Sequence, residues 1–290
     1  MLRRIGSGGG RIRCVQPTPQ KLPSTSLTAH SPIFELRDAV HGFVKLTEAE
    51  IAIINTPPFQ RLRDVRQLAV AHMVYPGAVH TRFEHSIGCV HLSDLVLTLL
   101  DKNEQKPGRP KLRDVLRLDE SGLGRARMIL RLASLLHDLG HPPFSHSGEK
   151  LLPLWNDSNG TLGLKPPKEK ERVSHEAMTA HLIRNTEIAA VIRKFYGSSG
   201  IDVEDIIAVA VQPTAARGDA ADPLLALLYQ LLTWDYGTDR MDYLLRDATH
   251  SGQPSGVFDH HKLLDSITLI TQNPAGEETE AVIGLDESGW

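Results

Sequence analysis

From Glu48 onward, the apolar residues recur mainly at helical spacing. The clearest stripe falls at i, i+4, i+7, i+11 and i+14, and it consists of His85, Cys89, Leu92, Val96 and Leu99. Such a stripe predicts a helix with one face in the core. His85 lies on that face, so the pattern places an imidazole where a core usually has an aliphatic side chain.

The remaining helices are predicted from apolar runs and start signals. Arg127 to Asp138 is apolar on nearly every face apart from its arginines and Ser134, so we expect it to be the central helix of the core. Start signals predict three more helices: Phe59 to Leu68 after Pro57-Pro58, one beginning at His175 after the cap Ser174, and Leu224 to Trp234 after Asp222-Pro223.

The pattern changes after Asp265. Ile267 to Thr271 and Ala281 to Leu285 alternate like two strands, which predicts a β hairpin. Residues 102–124 are expected to form a solvated loop leading into a short helical stretch, and residues 155–172 a polar insertion. The prediction is therefore a mainly α fold: a disordered basic tail (1–32), a helical core (33–265) and a hairpin region (266–290).

Composition narrows the class of protein. The 290 residues are 41% hydrophobic, which is enough for one substantial core, and the net charge of −3 gives no bulk attraction to nucleic acid. No sequence-specific nucleic-acid binding is therefore expected. No membrane span is expected either, because no apolar run reaches 18 residues. Two cysteines cannot form a disulfide framework, so a reducing cytoplasm is the expected location. The arginine-rich start also suits a transit peptide, but its glycines and prolines argue against a targeting helix.

The most informative chemistry lies at the end of the central helix. His137 and Asp138 are adjacent there, and Gly140, Pro142 and Pro143 then take the chain out of the helix. Imidazole and carboxylate together suit a hard or borderline divalent cation. The alternative is a buried histidine that donates to a backbone carbonyl, and for an isolated His-Asp pair this alternative is the commoner one.

Further segments favour the metal site. A histidine (His85), the His-Asp pair and a distant aspartate (Asp239) resemble the H…HD…D signature of the HD-domain phosphohydrolases. The surrounding segments are similar to the deoxynucleoside triphosphate triphosphohydrolase branch, which includes the SAM-and-HD-domain dNTPases; they are Asp38 to Gly42, Thr56 to Arg63, Gln67-Leu68, Tyr75 to Ser86 and His137 to His146. The similarity runs from about Ile33 to the last residue.

This resemblance implies a fold and an activity. It implies an HD-domain helical core that holds one divalent metal (Mn, Mg or Fe, with Zn a further option) on His85, His137, Asp138 and Asp239. The implied reaction is water attack on the α-phosphorus of a dNTP, with release of a deoxynucleoside and inorganic triphosphate. A homo-oligomer is also implied. Members of the family usually continue with more helices, so we expect Asp286 to Trp290 to begin an absent helix of a truncated chain.

Other site residues follow from the same resemblance. His146 matches the catalytic histidine, Glu149 the carboxylate that supports it, and His175 a second histidine that contacts phosphate. Arg82 and Arg240 match phosphate-binding positions, and Gln67, Tyr243 and Asp247 match positions that line the sugar. Each of these residues also has a structural alternative. Arg82 could form a surface salt bridge to Glu84, and Arg240 could be a solvated charge. Tyr243 could be a core tyrosine, Asp247 a helix-capping aspartate and His141 a histidine that pairs with carbonyls of the turn.

One position departs from the family. Asn55 stands where GTP-activated members have an aspartate that reads guanine, and an amide cannot accept two N–H donors as a carboxylate does. This departure argues against activation by GTP, and whether GTP or a dNTP is the nucleotide activator stays open. Two rival functions also stay open: an HD phosphohydrolase acting on nucleoside monophosphates or short oligonucleotides, and a non-catalytic nucleotide-binding module left inactive by truncation.

Overall fold

The computed structural model describes residues 32–102, 109–154, 172–211, 222–256, 258–272 and 280–286. The fold is mainly helical, as predicted. Its elements are β1 (Pro32–Asp38), β2 (Gly42–Thr47), α1 (Glu48–Ile54), α2 (Pro57–Gln60), α3 (Arg82–Lys102), α4 (Leu112–Val115), α5 (Glu120–Leu136), α6 (His175–Asn185), α7 (Glu187–Tyr196), α8 (Val203–Ala210), α9 (Pro223–Thr233), α10 (Thr238–Ser251), α11 (His260–Ser266), β3 (Ile267–Gln272) and β4 (Glu280–Leu285). No helix among these ranges is long and apolar enough to cross a membrane.

Helix α5 lies at the centre of the core. It packs against α3 and α8, and α10 also packs against α3. Its buried residues face every direction, as the continuous apolar run predicted. The helix begins seven residues earlier than expected, because Asp119 caps its start by accepting a hydrogen bond from the Gly122 N–H.

The other predicted caps are present. Ser174 accepts a hydrogen bond from the Ala177 N–H at the start of α6, and Asp222 accepts one from the Leu224 N–H at the start of α9. The C-terminal hairpin is confirmed as well, with Leu269 opposite Ile283 in an antiparallel pair. Residues 1–31 and 155–171 lie outside the described residues, as do 103–108 of the expected loop, whose short helical stretch is α4.

The predicted helix Phe59 to Leu68 is wrong in its second half. Helix α2 ends at Gln60 and continues as a 3-10 turn over Arg61–Asp64, after which Val65 is extended. The extended segment pairs with residues ahead of α3, where Arg66 bridges Thr81. Local helical spacing was therefore overridden by backbone pairing with a distant segment.

The hairpin β1–β2 was not predicted. Leu36 pairs with Val44 and Asp38 with Gly42, which has a φ of +75° that glycine tolerates. A buried ion pair fixes this hairpin and α1 to the core, because Arg131 of α5 donates to both oxygens of Glu50 (2.7 and 2.8 Å) and to the Lys45 carbonyl. The N-terminal part of the described chain is thereby attached to the central helix α5.

Candidate functional site

Three helices that carry the predicted ligands meet at one point in the core. A chain of hydroxyls joins them, because Ser93 of α3 lies 2.7 Å from the Ser134 hydroxyl of α5 and 2.8 Å from that of Thr238 in α10. His85 projects from α3, His137 and Asp138 follow α5, and Asp239 lies in the first turn of α10. The fold thus assembles residues that are up to 154 positions apart in the sequence (239 − 85).

The four predicted ligands lie within contact distance of one another. His85 Nε2 is 3.0 Å from Asp239 Oδ1 and 3.5 Å from Asp138 Oδ2. His137 Nε2 is 3.6 Å from Asp138 Oδ1 and 3.6 Å from Asp239 Oδ1. The nitrogen and oxygen donors therefore converge on a single buried position.

Each histidine points one nitrogen at this position and anchors the other elsewhere. His137 Nδ1 donates to the Ser134 carbonyl (2.8 Å), and His85 Nδ1 donates to Asp242 Oδ2 (2.8 Å). Such bonds fix the tautomer of a metal-binding histidine and leave Nε2 as a lone-pair donor. His137 Nε2 is buried and has no hydrogen-bond partner among the described residues. A buried lone pair without a donor, beside two carboxylates, fits a divalent cation.

Cys89 is a fifth residue that lies close to this position. The ligand atoms of His85, Cys89, His137 and Asp239 all lie within 4.8 Å of one another. Burial raises the pKa of the Cys89 thiol to about 12. Because a thiolate rather than a thiol binds metals, the donor set is better completed by Asp138.

Charge balance explains how two carboxylates stay ionised in the core. Burial opposes ionisation of Asp138, but Arg82 and His137 outweigh it and hold the pKa of that carboxyl well below its usual range. For Asp239, burial is likewise outweighed by the adjacent imidazoles of His137 and His85, which lower its pKa. Both side chains are therefore available as anionic ligands at neutral pH.

A second cluster adjoins the first. His141 and His175 stack with ring centroids 3.9 Å apart, and His146 meets both rings edge-on. Glu149 Oε1 accepts from His146 Nδ1 at 2.6 Å and lies 3.0 Å from His175 Nδ1. The clusters are joined by His141, whose Nε2 is 3.3 Å from Asp138 Oδ1. Burial lowers the pKa of His141 to about 4, so this imidazole is neutral at pH 7.

Tight backbone packing creates this second cluster. A Cβ on Gly140 would lie 2.1 Å from the His175 carbonyl oxygen, so only glycine lets the turn after Asp138 approach the start of α6 so closely. Phe144 and Ser145 then adopt left-handed φ angles of 66° and 54°, a conformation that costs energy in residues other than glycine. This strained turn directs the largely exposed His146 towards His141 and His175.

The predicted substrate-binding residues lie in different environments. Arg82 is buried and bonded to Asp138 and Ser145, which excludes the surface salt bridge to Glu84. Arg240 is half-exposed and pairs with Asp235 at 3.1 Å. Tyr243 and Asp247 follow Asp239 at one-turn intervals on α10, and burial raises the pKa of Tyr243.

Sequence reasoning missed Asp242, Arg246 and His41. Asp242 is fully buried and accepts hydrogen bonds from His41, His85 and Arg246, and Arg246 also donates to Asp38. The sequence did contain a signal for the two residues on α10. Asp242 lies three residues after the predicted ligand Asp239, and Arg246 lies one turn after Asp242, so these side chains share the inward face of the helix.

Comparison with known proteins agrees with this geometry. Residues 82–211 match the family model of the HD domain. Residues 82–211 therefore form an HD domain, and metal-dependent phosphohydrolases with this domain are the class of protein that this core and this centre define.

Within the family, the chain is similar to proteins of the SAMHD1 type. It is 28% identical to human deoxynucleoside triphosphate triphosphohydrolase SAMHD1, over 79% of this chain and 35% of that protein. It is 32% identical to the uncharacterized protein YwfO of Bacillus subtilis, over 79% and 42% of the two chains. A solved structure of a hypothetical protein from Aquifex aeolicus aligns with a TM-score of 0.61 at 33% identity, over 88% of this chain and 54% of that one. The chain spans about two fifths of the length of the curated relatives that it matches.

Proposed function

We propose that this protein hydrolyses deoxynucleoside triphosphates to a deoxynucleoside and inorganic triphosphate. The observation that carries the proposal is the buried Nε2 of His137, which has no hydrogen-bond partner in the described part of the chain and faces two carboxylates beside a second histidine cluster. The similarity to SAMHD1 proteins, which are named deoxynucleoside triphosphate triphosphohydrolases, supports this substrate class.

The ligand set in this proposal is His85, His137, Asp138 and Asp239. When bound, a divalent cation (Mn, Mg or Fe, with Zn a further option) supplies an activated water and neutralises charge on the phosphoryl oxygens. Arg82 adds a positive charge beside Asp138, where the α-phosphate is expected. Arg240 reaches a phosphate by giving up Asp235, and an exposed pair of this kind is worth little.

The proton for the leaving group comes from the second cluster. His146 Nδ1 is bonded to Glu149, so the Nε2 of His146 faces away from that carboxylate and can donate to the departing 5′-oxygen. Glu149 fixes the orientation of the His146 imidazole through this bond. His175, which also lies next to Glu149, contacts the phosphate chain in this proposal.

The sugar is placed along α10 in this proposal. Tyr243 lies between Asp239 and Asp247 on the helix, and Gln67 joins Asp247 in reading the 3′-hydroxyl. A homo-oligomer, a nucleotide activator and a cytoplasmic location belong to the proposal as well.

Product identity tests the proposal. The purified protein is incubated with Mn²⁺ and dATP, and the products are separated by anion-exchange chromatography beside a His137→Ala variant. We expect deoxyadenosine and triphosphate from the wild-type protein and neither from the variant. Deoxyadenosine monophosphate with pyrophosphate would instead favour a different HD phosphohydrolase, and bound metal without any product would favour the non-catalytic module.

A further inference from the structure

His80 lies between two of the predicted sugar-binding residues. The segments 65–67 and 80–82 run antiparallel, because the Arg82 N–H donates to the Val65 carbonyl (2.9 Å) and the Gln67 N–H donates to the His80 carbonyl (3.1 Å). This short ladder fixes the backbone of Gln67 to that of His80. The position of Gln67 is therefore set by His80 and not by a helix.

The side chain of His80 reaches the other predicted sugar residue. Its ring is fully buried, and Nε2 lies 2.7 Å from Asp247 Oδ1 on α10. Because an ionised carboxylate only accepts, the Nε2–H of His80 donates this bond. The ring also stacks on His250 at a centroid distance of 4.6 Å. Contacts on two sides therefore hold the imidazole in one orientation.

The loop ahead of His80 is packed closely against α10. A Cβ on Gly77 would lie 2.4 Å from the His250 carbonyl oxygen, so a glycine is needed for this approach. His80 is thereby held at the end of α10, next to Asp247.

Gln67 carries a buried acceptor in the same region. Gln67 Oε1 is buried and has no hydrogen-bond partner among the residues that the structure describes. Leaving a buried acceptor unpaired is costly, so the atom points to a donor that arrives with a ligand. Asp247, whose side chain is one-quarter exposed, offers a second acceptor through the oxygen that His80 does not bind. A hydroxyl can share its one hydrogen between two adjacent acceptors in a three-centre bond, whereas an anionic phosphate has no hydrogen to donate and is repelled by the carboxylate.

We propose that His80 is a positioning residue that holds Asp247 and Gln67 as a pair of acceptors for a sugar hydroxyl, and so sets the selectivity for substrates with a 3′-hydroxyl. The inference rests on the proposed function. His80 acts in it only through its side-chain bond to Asp247 and its backbone bond to Gln67.

Two amide substitutions separate this role from general structural support. Glutamine places an N–H donor close to the position of His Nε2, whereas asparagine is too short to reach Asp247. We therefore compare His80→Gln with His80→Asn, and measure kcat/KM with Mn²⁺ for dATP and for 2′,3′-dideoxy-ATP. Thermal unfolding of both variants verifies that they are folded.

The ratio of the two kcat/KM values is the decisive readout. In the wild-type protein we expect dATP to be preferred. In His80→Asn the value for dATP should fall about 10-fold while that for the dideoxy substrate stays within about 2-fold, since only the former uses the paired acceptors. His80→Gln should retain most of the preference.

Each contrary result has a separate meaning. If His80→Asn lowers kcat/KM equally for both substrates, or if the wild-type protein does not prefer dATP, the role of His80 is overturned while the proposed function stands. If His80→Asn does not fold, a His80→Gln variant without the preference overturns it equally. If the wild-type protein releases no triphosphate from dATP, the proposed function and this inference both fail.

Discussion

His85 and Asp242 are joined by a hydrogen bond of 2.8 Å between Nδ1 and Oδ2, deep in the interface between α3 and α10. The bond directs His85 Nε2 at Asp239, which lies three residues before Asp242 on the same helix. Asp242 accepts further bonds from His41 (2.6 Å) and from Arg246 (2.8 and 2.9 Å). One carboxylate therefore orients a ligand histidine and neutralises a buried arginine.

We expect Asp242→Asn to weaken binding of the divalent metal about 10- to 100-fold, the usual effect of removing a carboxylate that orients a ligand histidine. The amide N–H₂ of asparagine would face donors where the carboxylate accepted. Titration calorimetry with Mn²⁺ measures the change, and Glu120→Gln, at an exposed carboxylate on α5, is the control. An unchanged affinity in a folded variant would show that Asp242 does not orient His85.

Gly88 gives a prediction about packing at the same place. A Cβ there would lie 1.9 Å from Asp242 Oδ1 and 2.4 Å from Arg246 Nη2, whereas one on Gly124 of α5 would meet nothing within 4 Å. We expect Gly88→Ala to lower the free energy of unfolding by about 1–3 kcal/mol or more through overpacking, and Gly124→Ala to raise it by about 0.5–1 kcal/mol. Urea unfolding of the two variants is the measurement, and equal effects would refute the close approach.

We expect the free energy of unfolding to fall in mild acid because His141 is buried in its neutral form. Burial lowers its pKa to about 4 in the folded protein, whereas an unfolded histidine titrates near 6.5. The unfolded state therefore binds the proton first, and the contribution of neutral His141 is present above about pH 6.5 and lost as the pH falls to about 4. The full loss is about 3 kcal/mol.

The variant His141→Gln isolates this effect. Urea unfolding at pH 7, 6 and 5 without metal should give a flatter pH profile for His141→Gln than for the wild-type protein. The exposed His261→Gln is the control, and its profile should follow the wild type. Parallel profiles for His141→Gln and the wild-type protein would show that His141 is not held neutral.

We expect substitution of His146 to impair catalysis without changing metal binding. His146→Ala should lower kcat for dATP about 10²- to 10⁴-fold, the usual contribution of a general acid, while the Mn²⁺ affinity stays unchanged. Glu149→Gln should lower kcat less, because the imidazole remains. Loss of metal together with activity in His146→Ala would instead place His146 among the ligands.

The helical core and the C-terminal hairpin could be predicted because their signals are local. The apolar stripe that contains His85, the caps Ser174 and Asp222 and the alternation in β3 and β4 each lie within a short window of sequence. Four distant residues, His85, His137, Asp138 and Asp239, could be grouped only through the family resemblance, because no periodicity reports which helices meet.

The elements that were missed depend on distant partners. The segment after Asp64 is extended because Arg66 and Gln67 pair with residues ahead of α3, and helical spacing does not contain that information. The hairpin β1–β2 is short, and part of its support is the buried pair between Arg131 and Glu50. Asp242 was missed because a charged side chain on a helix usually faces solvent.

Hydrolysis of dATP in ¹⁸O-labelled water, with Mn²⁺ and beside His137→Ala, tests the central claim most directly. Attack of water on the α-phosphorus predicts deoxyadenosine without label and triphosphate carrying one ¹⁸O, as read by mass spectrometry, with neither product from the variant. The label in deoxyadenosine, or its recovery in a nucleoside monophosphate, would contradict the proposed reaction.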